Sequence, residues 1–134
     1  MSVTNKPRIL LADDHPALLA ETVRLLGQDY TVVGTVANGL ELLEAAKRLA
    51  PDVVVLDISM PVLDGFEAAR RLKRTGCSSK LIFLTVWEDA DYAREAMNLG
   101  ADAYVVKSRL ATDLLPAISE ALSKQHFVSP NLVL

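Results

Sequence analysis

Val53-Val54-Val55-Leu56-Asp57-Ile58-Ser59-Met60-Pro61 is the stretch on which the fold turns. Its first four residues are all apolar, three of them β-branched, and they run straight into a carboxylate. An unbroken apolar run of this length suits a strand covered on both faces, whereas a half-exposed strand alternates. Working outward, similar runs flank it: Ile9-Leu10-Leu11-Ala12 and Val32-Val33-Gly34-Thr35-Val36 before, Leu81-Ile82-Phe83-Leu84 and Ala103-Tyr104-Val105-Val106 after. Segments of helical period lie between them. Pro16 stands at a first helical position ahead of Leu18, Leu19, Thr22, Val23 and Leu26. Asn38 with Glu41, and Asp64 with Glu67, read as capping boxes. Asp89 opens a fourth helix that Gly100 stops. A fifth is expected from about Asp113 through Leu115, Ile118 and Leu122, with Pro116 in its first turn. Strand and helix alternating five times predict right-handed crossovers and an α/β fold built on a doubly wound, five-stranded parallel sheet.

Composition narrows the class of function. The chain has 134 residues, 51% apolar and 23% charged, with a net charge of −3, which excludes a disordered protein and provides one core. The apolar runs are too short to cross a bilayer, and Met1 to Arg8 carries no apolar stretch of a secretory signal. One cysteine, Cys77, closes no internal disulfide, which fits a reducing cytoplasm. The acidic balance speaks against direct nucleic-acid contact by this chain. The expectation is a single cytoplasmic domain over residues 1–134, away from membranes, with a core of about 7–125. Residues 126–134 lose the helical period and are expected as a tail or the start of a linker.

In open α/β sheets a ligand lies beyond the carboxyl ends of the strands. Those ends carry Asp13 and Asp14 after the first run, Asp57 after the third, Thr85 after the fourth and Lys107 after the fifth. In the order 2-1-3-4-5 the first and third strands are neighbours, so three carboxylates converge. Two carboxylates about 4 Å apart repel by about 4 kcal/mol at an effective dielectric of 20. A hard cation relieves this, and an all-oxygen crevice open to water favours Mg²⁺ over zinc or copper. Lys107 and Thr85 would then suit a phosphoryl group. A single strand-end aspartate is ordinarily a cap or turn residue. Capping does not explain five polar residues at four strand ends, with three acids on the two central strands.

At these residues the sequence resembles a response-regulator receiver domain of the CheY-like type. The motifs are Leu11-Ala12-Asp13-Asp14-His15-Pro16, Val55-Leu56-Asp57-Ile58-Ser59-Met60-Pro61 with Asp64-Gly65, Thr85, and Gly100-Ala101-Asp102-Ala103-Tyr104-Val105-Val106-Lys107. The resemblance implies a flavodoxin-like fold and a phosphoryl switch of a two-component system. Asp57 would accept the phosphoryl group from a histidine kinase or phosphotransfer protein. Asp13, Asp14, Asp57 and the backbone carbonyl of Ser59 would hold Mg²⁺, and Thr85 and Lys107 would bind phosphoryl oxygens. Thr85 and Tyr104 would form the switch, and Ser59 and Trp87 occupy rate-tuning positions. The chain would be no enzyme beyond weak self-phosphorylation from small donors and self-dephosphorylation. The Asp-Asp-His-Pro opening and Phe127-Val128-Ser129-Pro130 are similar to the NarL/FixJ subfamily, in which a helix-turn-helix output domain controls transcription. Activation would change the face formed by the fourth helix, fifth strand and fifth helix, and could promote a homodimer.

Several residues depart from that pattern or read more plainly. Ser108 follows Lys107 where many receivers have a proline, so a trans peptide is expected. Val86 is larger than the residue common there. Trp87 either shields the acyl phosphate from water or merely packs on its loop. His15 reads as a partly exposed loop histidine and Cys77 as incidental. Two other functions compete. A phosphatase of the haloacid dehalogenase type needs a second acid where Ser59 stands, and a flavin carrier needs a phosphate cradle where Asp13 and Asp14 repel phosphate. A receiver signalling without phosphorylation would keep the same residues.

Overall fold

The sheet is set by where the apolar runs place their side chains. In this computed structural model, which describes residues 6–132, they form β1 (Arg8–Ala12), β2 (Thr31–Val36), β3 (Val53–Leu56), β4 (Lys80–Thr85) and β5 (Ala103–Val106). Between them lie α1 (Pro16–Leu26), α2 (Gly39–Leu49), α3 (Gly65–Arg74) and α4 (Ala90–Asn98), and α5 (Leu110–Leu122) follows β5. Pairing is parallel throughout, in the order β2-β1-β3-β4-β5. Alternate side chains of each strand point to opposite faces. Leu10, Val54, Leu56, Leu81, Phe83 and Tyr104 therefore pack under α2, α3 and α4, against Leu42, Ala68, Leu72 and Ala93. Ile9, Leu11, Val53, Val55, Ile82 and Val105 pack under α1 and α5, against Leu26, Leu114, Ala117 and Ile118. Each large side chain so buried contributes about 1.5–3 kcal/mol.

The helix starts largely follow the sequence. Pro16 sits in the first turn of α1, and the Asn38 side chain accepts from the Glu41 amide at 2.9 Å. Asp64 caps α3 through the Glu67 amide at 2.9 Å, but the Glu67 carboxylate turns to Arg70 and Arg71 instead of closing the box. The fifth helix differs from expectation. A 3-10 turn over Lys107–Arg109 leads directly into Leu110, so Pro116 lies inside α5 and not in its first turn. Leu110, three residues before the expected start, buries on the sheet together with Leu114, and that packing outweighs the weak cap signal. No cis peptide occurs among the described residues, in keeping with the trans bond expected before Ser108.

The segment expected as a tail adds to the sheet. Phe127–Val128 forms β6, parallel to β5, with Phe127 opposite Ala103 and Val128 opposite Tyr104. Two adjacent apolar residues are too short a run to announce a strand. What holds them is polar and lies just beyond. The buried Ser129 donates from its amide to the Tyr104 carbonyl at 2.9 Å and from its hydroxyl to Asp113 Oδ2 at 2.8 Å. Its Oγ also accepts from the Val106 amide at 3.1 Å. Asp113 takes further bonds from Arg109 Nε at 2.7 Å and Thr112 Oγ1 at 3.1 Å.

Burial pushes the Asp113 carboxyl up, but the hydrogen bonds from Arg109, Ser129 and Thr112 outweigh it and hold the group below its ordinary value. A lowered folded-state pKa means that the ionised group stabilises the fold. That contribution is complete above the ordinary carboxylate pKa of about 3.9 and is lost as the pH falls through the lower folded value. Urea midpoints measured from about pH 7 down to about pH 3 should therefore fall more steeply in the native chain than in Asp113→Asn. Parallel curves would mean that Asp113 ionisation is not linked to folding.

Candidate functional site

Two backbone bonds carry the β-ladder one step past the strand ends and so fix the aspartates. The Asp57 amide donates to the Ala12 carbonyl and the Asp13 amide to the Val36 carbonyl, both at 3.0 Å. Behind Asp57 the first turn of α3 presses on the chain. The Gly65 amide donates to the Ile58 carbonyl at 2.7 Å, and a Cβ on Gly65 would lie 2.0 Å from the Asp57 carbonyl oxygen. Only glycine permits that approach. Between them, Leu63 N bonds to Pro61 O at 2.7 Å around Val62, whose φ of 70° is strained for a β-branched residue.

Asp13 and Asp57 are buried, and a single ammonium lies between them. Lys107 Nζ is 2.8 Å from Asp13 Oδ2 and 2.8 Å from Asp57 Oδ2. Burial alone would lower the Lys107 pKa; the hydrogen bonds to Asp13 and Asp57 and the charges of both carboxylates raise it above the ordinary lysine value. The ammonium is thus held charged. Asp57 Oδ1 is different: it is buried and has no hydrogen-bond partner. An unpaired buried carboxylate oxygen costs free energy unless something fills the space it faces.

The other members surround this pair. Carboxylate oxygens of Asp13, Asp14 and Asp57 and a ring nitrogen of His15 lie within 4.8 Å of one another. His15 is exposed, as expected of a loop residue, yet its Nδ1 sits 2.8 Å from Asp13 Oδ1 and 3.2 Å from Asp14 Oδ1. Thr85 is fully buried at the end of β4 and does not join the Lys107 cluster; its Oγ1 accepts from the Trp87 amide at 3.4 Å. Ser59 and Trp87 meet across the opening, where the indole Nε1 donates to Ser59 Oγ at 3.0 Å. Tyr104 is buried with its hydroxyl donating to the Trp87 carbonyl at 2.6 Å, and its pKa is raised by burial first and by Asp89 and Asp57 next. Trp87 in turn stacks at a tilt on Tyr92, with centroids 5.2 Å apart.

The residues present fit a hard cation. Three carboxylates carry more negative charge than Lys107 balances, one buried oxygen is unpaired, and no thiolate joins the cluster among the described residues, although the ring nitrogen of the exposed His15 makes the set other than the all-oxygen one expected. Asp113 was expected only as a helix start and Ser129 only as part of the closing motif, and no role was expected of Glu88. Glu88 accepts from Ser108 Oγ at 3.0 Å and from Asn131 Nδ2 at 2.7 Å, binding the loops after β4 and β5 to the chain beyond β6. Long-range pairs of this kind leave no periodic signal.

Comparison with known proteins agrees with this geometry. The family profile described as the response regulator receiver domain matches residues 9–119. The chain is 38% identical over 127 residues to the uncharacterized transcriptional regulatory protein YvfU of Bacillus subtilis, covering 93% of this chain and 64% of that protein. It is 34% identical over 134 residues to the nitrate/nitrite response regulator protein NarL of Escherichia coli, covering 98% and 62%. It thus spans less than two thirds of the length of these relatives. Among solved structures, a LuxR-family two-component response regulator from Aurantimonas superposes with a TM-score of 0.90 at 30% identity, covering 96% of this chain and 93% of that one. The isolated receiver domain of RcsB from Salmonella enterica, determined with a beryllofluoride phosphomimetic, superposes at 0.88 with 26% identity over 96% of each chain.

The shared ammonium carries a direct consequence. Lys107→Ala leaves two buried carboxylates facing each other and should lower the unfolding free energy by about 3 kcal/mol in urea titrations. Adding Asp13→Asn to that variant should recover part of the loss. If the second substitution deepens it instead, the acids are not repelling one another.

Proposed function

The chain belongs to the response regulator receiver domain family, in its NarL- and LuxR-like branch, and from that membership we propose that it accepts a phosphoryl group on Asp57 from a histidine kinase or phosphotransfer protein. The observation that carries the reading is the asymmetry of the Asp57 carboxylate, with Oδ2 held by Lys107 and Oδ1 buried and unpaired. In the transfer a carboxylate oxygen of Asp57 bonds to phosphorus as the phosphorus–nitrogen bond of a phosphoimidazole breaks. The bonding pair returns to the imidazole nitrogen. Such transfer asks the protein for in-line positioning and charge neutralisation and little else. Lys107 supplies one positive charge beside the incoming oxygens, and Thr85 supplies a hydroxyl from the next strand end. Asp13, Asp14, Asp57 and the Ser59 carbonyl are the groups that would hold Mg²⁺. When bound, that ion offsets the negative charge of carboxylates and phosphoryl oxygens together.

The remaining assignments follow from position. The residues form no enzyme of independent turnover; self-phosphorylation from small acyl phosphates and slow self-dephosphorylation are the activities proposed. The chain works in the cytoplasm, and among the described residues no helix is long and apolar enough to cross a membrane. Thr85 and Tyr104 make the switch. Tyr104 bonds to the loop after β4 through its side chain, so a shift of Thr85 is felt at the α4–β5–α5 face, where a homodimer would form. Relatives such as NarL carry transcriptional output, and the output proposed here is transcription through a helix-turn-helix domain reached from residues 126–134.

Intact mass tests the central claim. Incubation with Mg²⁺ and a small acyl phosphate should add one phosphoryl group to the native chain and none to Asp57→Asn. No adduct on the native chain, together with no beryllofluoride binding, would favour a receiver that signals without phosphorylation.

Trp87 offers a second test. Its indole spans the opening to Ser59 and is 42% exposed, so it stands between solvent and the Asp57 crevice. Trp87→Ala should shorten the aspartyl phosphate lifetime by about threefold to tenfold, in line with the loss of about 1 kcal/mol of barrier from water exclusion. An unchanged half-life would leave Trp87 as a packing residue of its loop.

A further inference from the structure

Ser129 and Asp113 are buried polar residues that the phosphoryl chemistry does not use. Ser129 is 0% exposed and Asp113 4%, and both lie at the end of the sheet that carries the site. The Ser129 hydroxyl joins two elements: it donates to Asp113 on α5 and accepts from the Val106 amide, the residue immediately before Lys107. The Ser129 amide adds a bond to the Tyr104 carbonyl, while the Tyr104 hydroxyl reaches the Trp87 carbonyl. Two residues on, Asn131 Nδ2 donates to Glu88, which also accepts from Ser108 Oγ. Residues 127–131 are therefore bonded to the loop after β4, at Glu88, and to the end of β5, at Val106, and they reach the loop after β5 through the Ser108 bond to Glu88.

These contacts have a mechanical meaning. Val106 is the last residue of β5, and its amide is the point at which the ladder would otherwise fray. With that amide held, the Lys107 main chain is fixed, and its ammonium is set 2.8 Å from both carboxylates. With Glu88 held from both sides, the loop carrying Trp87 is fixed as well. Building on the receiver reading, we infer that Ser129, backed by Asp113, is a positioning residue for the phosphoryl site, so that docking of the chain after α5 and binding at Asp57 favour each other. By linkage the effect runs both ways with the same factor. Occupation of the site tightens residues 127–131, and their release loosens the site.

The test uses beryllofluoride with Mg²⁺ as the phosphoryl mimic and the fluorescence of Trp87, the chain's one tryptophan, as the reporter. Ser129→Ala should weaken binding by about threefold to tenfold, the size expected for one or two lost hydrogen bonds. In the native chain, saturating beryllofluoride should slow hydrogen exchange of the Ser129 amide by a similar factor, which a merely structural serine would not show. Native binding with unchanged affinity in Ser129→Ala and unchanged Ser129 exchange overturns the inference alone. A native chain that binds no beryllofluoride overturns the receiver reading and this inference with it. Should Ser129→Ala fail to fold, Asn131→Ala replaces it, because Asn131 is exposed and its loss leaves the core intact. It should weaken binding in the same direction, and unchanged affinity there with unchanged native exchange overturns the inference equally.

Discussion

One ammonium between two buried carboxylates is the interaction on which the rest of this structure depends. Lys107 reaches Asp13 and Asp57 at equal distance, so neither acid is fully balanced, and Asp14 adds a further charge at the rim. Burying such a set is unfavourable unless the geometry is tightly held. The sheet provides that hold. Asp13 and Asp57 sit one residue past β1 and β3, where the ladder still supplies a hydrogen bond to each amide. Lys107 sits one residue past β5 and reaches across β4, whose terminal Thr85 is itself fully buried. The charges are therefore as rigid as the strands, and the excess of negative charge is a fixed property of the crevice.

That arrangement explains why the fold and the site were legible to different depths. The five strands and the order of helices follow from consecutive apolar residues and caps, because parallel strands covered on both faces leave that signature. The strand-end residues Asp13, Asp57, Thr85 and Lys107 were legible for the same reason: once a strand is located, its carboxyl end is located too. Pro116 misled because a proline is ordinarily tolerated only in a first turn, and the sheet packing of Leu110 and Leu114 overrode that preference. β6 was invisible because its stability comes from Ser129, Asp113 and Val106, residues far apart in the chain. His15 was half legible: its exposure was expected, but its ring nitrogen faces the acids because it precedes α1 and folds back on Asp13.

The groups around Tyr104 give the proposed switch a path away from Asp57. Its ring packs beside Phe83 in the core, its hydroxyl binds the Trp87 carbonyl, and its own carbonyl binds Ser129. The side chain and main chain of one residue thus join the loop after β4 to the chain after α5. An aromatic ring in a close-packed core moves between discrete positions and does not deform by degrees. In the proposed switch, a shift of the β4 loop would therefore have few ways to be absorbed before it reached β6.

The size of that coupling is bounded by the bonds that carry it. A ligand shifts an equilibrium only by its differential affinity for the two states, and a swing from 1:99 to 99:1 needs about 5.5 kcal/mol. Hydrogen bonds of the kind made by Ser129 and Asn131 contribute about 1 kcal/mol net each. Docking of residues 127–131 accordingly biases the site by a few kcal/mol and does not switch it completely. A partial bias has a physical advantage over a full one. It leaves the charge set at Asp57 as the dominant determinant of state, while making the path of the chain beyond α5 responsive to it. The remaining free energy for the proposed transition would have to come from surfaces outside these contacts; β6 already closes the β5 edge, so on the α4–β5–α5 face the helices α4 and α5 would be left to provide it.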